Sequence, residues 1–217
     1  MKLNALLLLL ICVVSVSKVK AQAKLKGDLM INGGIARCDH YNKLYDIGLS
    51  SDANIVHEKQ VGITLINFNV IYFLKFDNCK LKPLVGVSYM PQGFMEKGYT
   101  TDSLSKLPYE YAFKLSYTSL FAGLRYRAIE SGKVKVDLCQ MLIPMIKADN
   151  VAYMKGLGLS TRSEVFINFK MKNNGNIAVS PFFQTGLVKF NTSRRNGNGT
   201  NYIPYSYGIN FGTYFEL

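Results

Sequence analysis

The chain has 217 residues, a formal charge of +12, a hydrophobic fraction of 48% and a mean hydropathy of +0.07. That length suits one domain with a sizeable core, and no internal repeat divides it. Beyond Lys20 no run lacks charges or turn residues over the ~20 positions that a membrane helix needs, so the apolarity is not that of helical spans.

The first residues are predicted to be a secretory signal. Lys2 gives a basic start, Leu3 to Val16 an apolar run too short for a span, and Val19-Lys20-Ala21 small residues at cleavage spacing. Residues 1–21 form this signal, with the cut after Ala21 or alternatively after Ala23, and 22–217 form the mature domain. Removing Lys2, Lys18 and Lys20 from +12 leaves about +9. Export argues against nucleic acid as the partner of this basic chain and favours anionic lipid headgroups or surface glycans. Ile11 stands where a lipidated Cys12 would want a small residue. The three remaining cysteines, at 38, 79 and 139, are odd in number and widely spaced, which reads as packing and not as a disulfide framework.

Period-two alternation then dominates. The predicted strands, in chain order, are Gly27 to Arg37, Val61 to Phe76, Leu81 to Met95, Tyr109 to Arg127, Lys133 to Ile146, Arg162 to Met171, Asn176 to Phe190 and Tyr202 to Leu217. In the second, Ile66, Phe68, Val70, Tyr72, Leu74 and Phe76 oppose Asn67, Asn69 and Lys75. In the fourth the apolar phase runs through Tyr111, Phe113, Leu115 and Tyr117, then shifts to Leu120, Ala122, Leu124 and Tyr126, which suggests a β-bulge near Thr118 and Ser119. The fifth sets Val134, Val136, Leu138, Leu142 and Ile146 against Lys135, Asp137 and Cys139. The sixth sets Val165, Ile167, Phe169 and Met171 against Arg162, Glu164, Asn168 and Lys170, and the seventh sets Ile177, Val179, Phe183 and Leu187 against Ala178, Ser180, Gln184 and Gly186. The last is the clearest: Ile203, Tyr205, Tyr207, Ile209, Phe211, Thr213, Phe215 and Leu217 share one face, while the other is polar or small apart from Pro204 and Tyr214.

The connections alternate in length. Asp77 to Lys80, Glu130 to Gly132 and Lys172 to Gly175 are short; Cys38 to Gln60, Glu96 to Pro108, Lys147 to Ser160 and Asn191 to Asn201 are longer and more polar. Short turns on one side and long loops on the other are the habit of bacterial membrane barrels. The predicted fold is all-β, an eight-stranded antiparallel up-and-down transmembrane barrel with both termini on the periplasmic side.

Alternation alone would also fit a soluble, secreted, lipocalin-like barrel, which has its apolar face inward. The charges decide. Lys75, Lys82, Glu110, Lys114, Lys135, Asp137, Arg162, Glu164, Lys170 and Glu216 fall opposite the apolar faces and carry both signs. They are expected to form a structural polar network in the interior, because basic groups facing lipid would each cost ~2–4 kcal/mol at the midplane. Tyr109, Tyr111, Tyr126, Tyr202, Tyr205 and Tyr214 near strand ends suit interfacial girdles. A barrel of this size has a lumen filled by side chains, not an open diffusion pore.

Chemistry is weakly signalled. His40 and His57 fall in the first long loop near Asp39, Asp46 and Asp52, where a histidine could act as general base in a lipid- or peptide-modifying enzyme or join a metal site. No triad or ligand spacing supports this, so the chain is expected to be non-enzymatic, without cofactor or metal. Arg194 and Arg195 make a basic loop tip able to touch glycolipid phosphates. Asn191-Thr192-Ser193 and Asn198-Gly199-Thr200 fit the N-glycosylation pattern but read as loop polarity.

Gly27-Asp28-Leu29, the Tyr109 to Arg127 strand, the Lys133 to Ile146 strand and the closing Tyr202 to Leu217 strand together resemble the outer-membrane β-barrel families of Bacteroidetes, often labelled porin-like or PorT-like. The resemblance covers almost the whole mature chain and rests on strand rhythm. It implies an outer-membrane location and insertion by the barrel-assembly machinery, although the last residue is Leu217 where that machinery usually meets an aromatic. PorT-like members serve a secretion and gliding apparatus, and no residue here carries that role over. Asp102-Ser103-Leu104 looks like the O-glycosylation motif of exported Bacteroidetes proteins. The function expected is display of extracellular loops to a glycolipid or surface protein by a monomer held in outer-membrane lipid.

Overall fold

The computed structural model describes residues 27–41, 55–75, 80–102, 105–147, 154–155, 158–171, 176–187, 190–192 and 200–216. The strands are β1 (Gly27–Tyr41), β2 (Ile55–Leu74), β3 (Leu81–Asp102), β4 (Ser105–Glu130), β5 (Val134–Lys147), β6 (Met154–Lys155), β7 (Gly158–Lys170), β8 (Asn176–Gly186), β9 (Phe190–Thr192) and β10 (Thr200–Glu216). All but β6 and β9 join one antiparallel sheet in which each strand pairs with the next, and β1 closes on β10 from Asp28↔Glu216 to Tyr41↔Ile203. The fold is therefore a closed, eight-stranded, up-and-down β-barrel, with no helix among the described residues. The short β6 and β9 extend β10 into a small flap.

Side-chain alternation gives the wall two surfaces. Outward go Ile35, Ile66, Leu142, Phe183 and Phe211, each more than two-fifths exposed. Ile35 lies beside Ile66 on β2 and aligned with Ile209 on β10, so β-branched residues that suit a pleated surface form a row across three strands. The seam between first and last strands is tight. A Cβ on Gly34 would stand 2.0 Å from the Ile209 carbonyl oxygen, and one on Gly208 would stand 2.1 Å from that of Ile35. Glycine is the residue that lets two backbones come this close.

Inward residues fill the lumen in layers. Met30, Ile71, Phe73, Leu84, Phe121 and Phe166 belong to an apolar cluster towards the end that holds the tight turns. Ala36, Cys38, Met90 and Phe182 make a smaller one nearer the other end, with Leu65 packed against it. Polar residues lie between and beyond these clusters. The eight-stranded circumference is thus closed around packed side chains, as expected for its size.

Three strands overrun the barrel at the loop end. Pairing of β1 with β2 stops at Cys38↔Ile63 and that of β4 with β5 at Tyr117↔Lys147, yet β3 and β4 stay paired to Asp102↔Ser105 and β2 follows β3 to Ile55↔Thr100. At 3.3 Å per residue the stretch from Ser116 back to Ser105 projects roughly 35 Å beyond that rim.

This projection corrects two expectations. The Glu96 to Pro108 segment, expected as a polar loop, is a paired hairpin, and much of the Cys38 to Gln60 connection is strand at both its ends. The bulge expected near Thr118 and Ser119 is also not there, since Met90↔Tyr117, Tyr89↔Thr118 and Ser88↔Ser119 follow one another in register. The apolar phase changes at this point because β4 leaves the barrel, not because a residue is inserted. The register shift of β4 falls instead between Arg127 and Ile129, beside the turn to β5. Tyr214, expected in a girdle, is buried in the lumen. The signal segment 1–21, Cys79, Ser103 and the Asn198 sequon lie outside the described residues.

Candidate functional site

The interior holds two charged clusters, each built around an arginine from a different strand. Alternation on β7 puts Arg162 and Glu164 on the lumen face, both about 2% exposed or less, with Arg162 Nη2 2.7 Å from Glu164 Oε2. Arg162 Nη1 donates to Asn69 Oδ1 at 3.3 Å, and its guanidinium lies over the Phe182 ring at 3.9 Å. Glu164 Oε1 accepts from Ser180 Oγ at 2.6 Å and from Asn210 Nδ2 at 3.0 Å. Asn69 Nδ2 in turn donates to Asn32 Oδ1 at 2.8 Å. The cluster thus ties β7 to β1, β2, β8 and β10 across the lumen, and a buried pair needs such extra partners to offset its desolvation.

The second cluster sits nearer the turn end. Arg125 Nη1 lies 3.7 Å from Asp28 Oδ2 and 3.8 Å from Asp137 Oδ2, donates to Tyr214 Oη at 3.2 Å, and its guanidinium lies 4.4 Å from the centre of the Phe73 ring. Tyr214 Oη donates to Asp28 Oδ2. Each carboxylate has a further cation: Lys75 Nζ is 2.6 Å from Asp28 Oδ1, and Arg127 Nε is 2.6 Å from Asp137 Oδ1. Glu130 at the rim meets Arg127 at 3.1 Å and Lys135 at 3.7 Å.

Of the residues expected inside, Asp137, Arg162 and Glu164 are buried, while Lys75, Lys82 and Lys135 are half-buried at the turn-end rim. Glu110 and Lys114 are corrected: both are exposed on the projecting part of β4, where Glu110 pairs with Lys97 of β3. Lys170 is exposed at the rim, the last residue of β7. The Glu216 side chain lies outside the described residues. Asp28, Arg125 and Arg127 were not among the expected charges. Their alternation with Leu29, Leu124 and Tyr126 was the signal that could have found them.

His40 is not in a loop. It is the residue before the last of β1, 4% exposed, with its ring 4.5 Å from that of Phe94 and Nδ1 3.4 Å from Asp39 Oδ1. His57 lies on β2, its backbone opposite Gly98, and its side chain is outside the described set, as are Arg194 and Arg195. Among the described residues no three His, Cys, Asp or Glu side chains are grouped to hold a metal. Asp102 and Ser105 pair, and Ser103 and Leu104 of the Asp102-Ser103-Leu104 motif lie outside the described residues.

Inverted sidedness and a filled lumen define a small barrel of the membrane type. No protein-family model and no curated protein matches the chain. Among solved structures it is similar to Neisserial surface protein A, at 10% identity over 88% of this chain and 97% of that one, with a TM-score of 0.50. It is likewise similar to the outer membrane protein AlkL in lipid bilayers, at 12% identity over 89% and 92% of the two chains and a TM-score of 0.50. The chain has the fold of these eight-stranded outer-membrane barrels.

Proposed function

We propose that the chain is an integral outer-membrane protein without enzymatic activity, whose barrel is a rigid mount for the projecting β2–β3–β4 sheet and the neighbouring loop-end segments. The observation that carries this reading is the sidedness of the wall. Ile35, Ile66, Leu142 and Phe211 face outward while Asp28, Arg125, Asp137, Arg162 and Glu164 are buried inside, the reverse of a soluble ligand-binding barrel. An apolar belt around the whole circumference far exceeds the few hundred Å² that a soluble monomer leaves exposed, whereas lipid covers it at no cost. The side chains packed in the lumen among the described residues support display over solute diffusion.

The connections support one orientation. The start of β1 and the end of β10, paired at Asp28 and Glu216, lie at the end with the short connections, which by the habit of such barrels faces the periplasm, and the projecting sheet then stands on the cell surface. There it meets a glycolipid or a surface protein. Outer-membrane lipid surrounds the barrel, the barrel-assembly machinery inserts it, and it works as a monomer. The strand rhythm shared with the PorT-like barrels of Bacteroidetes supports the same location.

Ile35→Arg tests the carrying observation. On the lipid face near mid-strand it is expected to lower stability by ~2–4 kcal/mol in bilayers, read from urea titrations of the heat-modifiable gel band. A loss below about 0.5 kcal/mol, typical of an exposed site in water, would overturn the membrane reading. Protease added to intact cells should cut in the projecting hairpin and spare a tag at the C-terminus; the opposite pattern would reverse the orientation.

A further inference from the structure

The charge pairing at the turn-end rim is incomplete on one side. Where β5, β7, β8 and β10 meet, a small, partly open depression is lined by Lys133, Lys135, Asn168, Lys170, Asn176 and Tyr214. Strand register brings these together: Lys135 is opposite Asn168, and Asn176 is opposite both Lys170 and Tyr214. Lys133 and Lys170 are joined through a backbone hydrogen bond of 2.9 Å, and neither side chain has a carboxylate partner among the described residues. The carboxylates nearest in the network are already engaged: Asp28 by Lys75 and Tyr214, Asp137 by Arg127, and Glu130 by Arg127 and Lys135.

Asn168 is the second observation. It is 4% exposed, it lines the depression, and among the described residues neither its Nδ2 nor its Oδ1 has a hydrogen-bond partner. Leaving a buried amide donor unbonded is costly, and a ligand acceptor reaching Nδ2 would remove that part of the cost. The chemistry of the wall specifies that group. Ammonium groups at the rim supply positive charge and donors, and the amide Nδ2 supplies a donor behind them. An oxyanion with several acceptor oxygens satisfies both, and lysine ammonium groups are common phosphate binders.

We propose that this depression at the turn-end mouth is a binding site for a phosphate group, entered from the solvent or presented on an anionic lipid headgroup. Lys133 and Lys170 hold the anion by charge, and Asn168 donates to it from within the lumen. The site lies at the opposite end of the barrel from the projecting sheet and stands or falls independently of the display role.

The experiment uses the full mature barrel refolded in uncharged detergent. Amide resonances, including the Asn168 side-chain NH2, are followed by NMR during titration with inorganic phosphate, and separately with dihexanoyl phosphatidylglycerol, against chloride at equal ionic strength. Saturable shifts centred on Asn168, with half-saturation at millimolar or lower phosphate, are expected. Shifts with both probes assign the site to phosphate itself; shifts with the lipid alone assign it to a headgroup. Asn168→Asp, which places a carboxylate where the anion would sit, should weaken binding roughly tenfold to a hundredfold. The exposed pair Lys133→Ala, Lys170→Ala should do the same with the fold intact, and it decides the question if Asn168→Asp fails to fold. Absence of saturable shifts with either probe, or binding unchanged in the lysine pair, would overturn the site.

Discussion

The two buried arginines make a natural comparison. Arg162 has a single carboxylate neighbour, Glu164, two residues away on its own strand, and among the described residues its Nε and Nη2 and the Oε2 of Glu164 have no hydrogen-bond partner in good geometry. Arg125 shares two carboxylates, and each of those keeps a second cation. The first is a pair held together by the neutral side chains of four other strands. The second is a mesh with redundant links, close enough to the rim for Lys75 to be one-third exposed. Redundancy, not burial alone, should therefore set how much each arginine contributes.

The sharpest way to break the comparison is Arg162→Ala. It strands Glu164 in the lumen, and a loss of ~3–5 kcal/mol is expected in urea unfolding of the bilayer-reconstituted barrel. Adding Glu164→Ala should return part of that loss, because the unpaired charge goes with it. Arg125→Ala should cost less, ~1–3 kcal/mol, since Asp28 and Asp137 keep Lys75 and Arg127. A larger loss there than at Arg162 would refute the role given to redundancy. Smallest of all, Lys75→Ala at the half-wet rim should change stability by about 1 kcal/mol or less, with the remainder screened by salt.

The barrel was legible because its outer surface alternates strongly: Ile66, Phe68, Val70 and Tyr72 on β2, and Ile209, Phe211 and Phe215 on β10, are where the pattern put them. The lumen was harder. Parts of it are as apolar as the exterior, so in Met141-Leu142-Ile143 the inward and outward residues look alike, although Met141 and Ile143 are buried and Leu142 is exposed. Nor does alternation say where a strand leaves the barrel. The pattern continues past the rim, so it reads Glu110 and Lys114 as interior, and the polar Asp39 and His40 at a strand end read as loop. In the turn-end depression, Lys135, Asn168 and Lys170 were readable as one polar face, but their meeting with Asn176 and Tyr214 depends on pairing between strands distant in sequence.

The seam carries a consequence in time. Asp28 is partnered by Glu216, and Tyr214 bonds to Asp28 across 186 residues of sequence. Few contacts in a chain of this length are less local, and such pairing is paid for in loop-closure entropy before it is rewarded. The wall cannot be sealed until the last strand exists to meet the first. Assembly is accordingly expected to be slow and concerted, and β1, which Gly34 fits closely against β10, must wait with an open edge until β10 arrives.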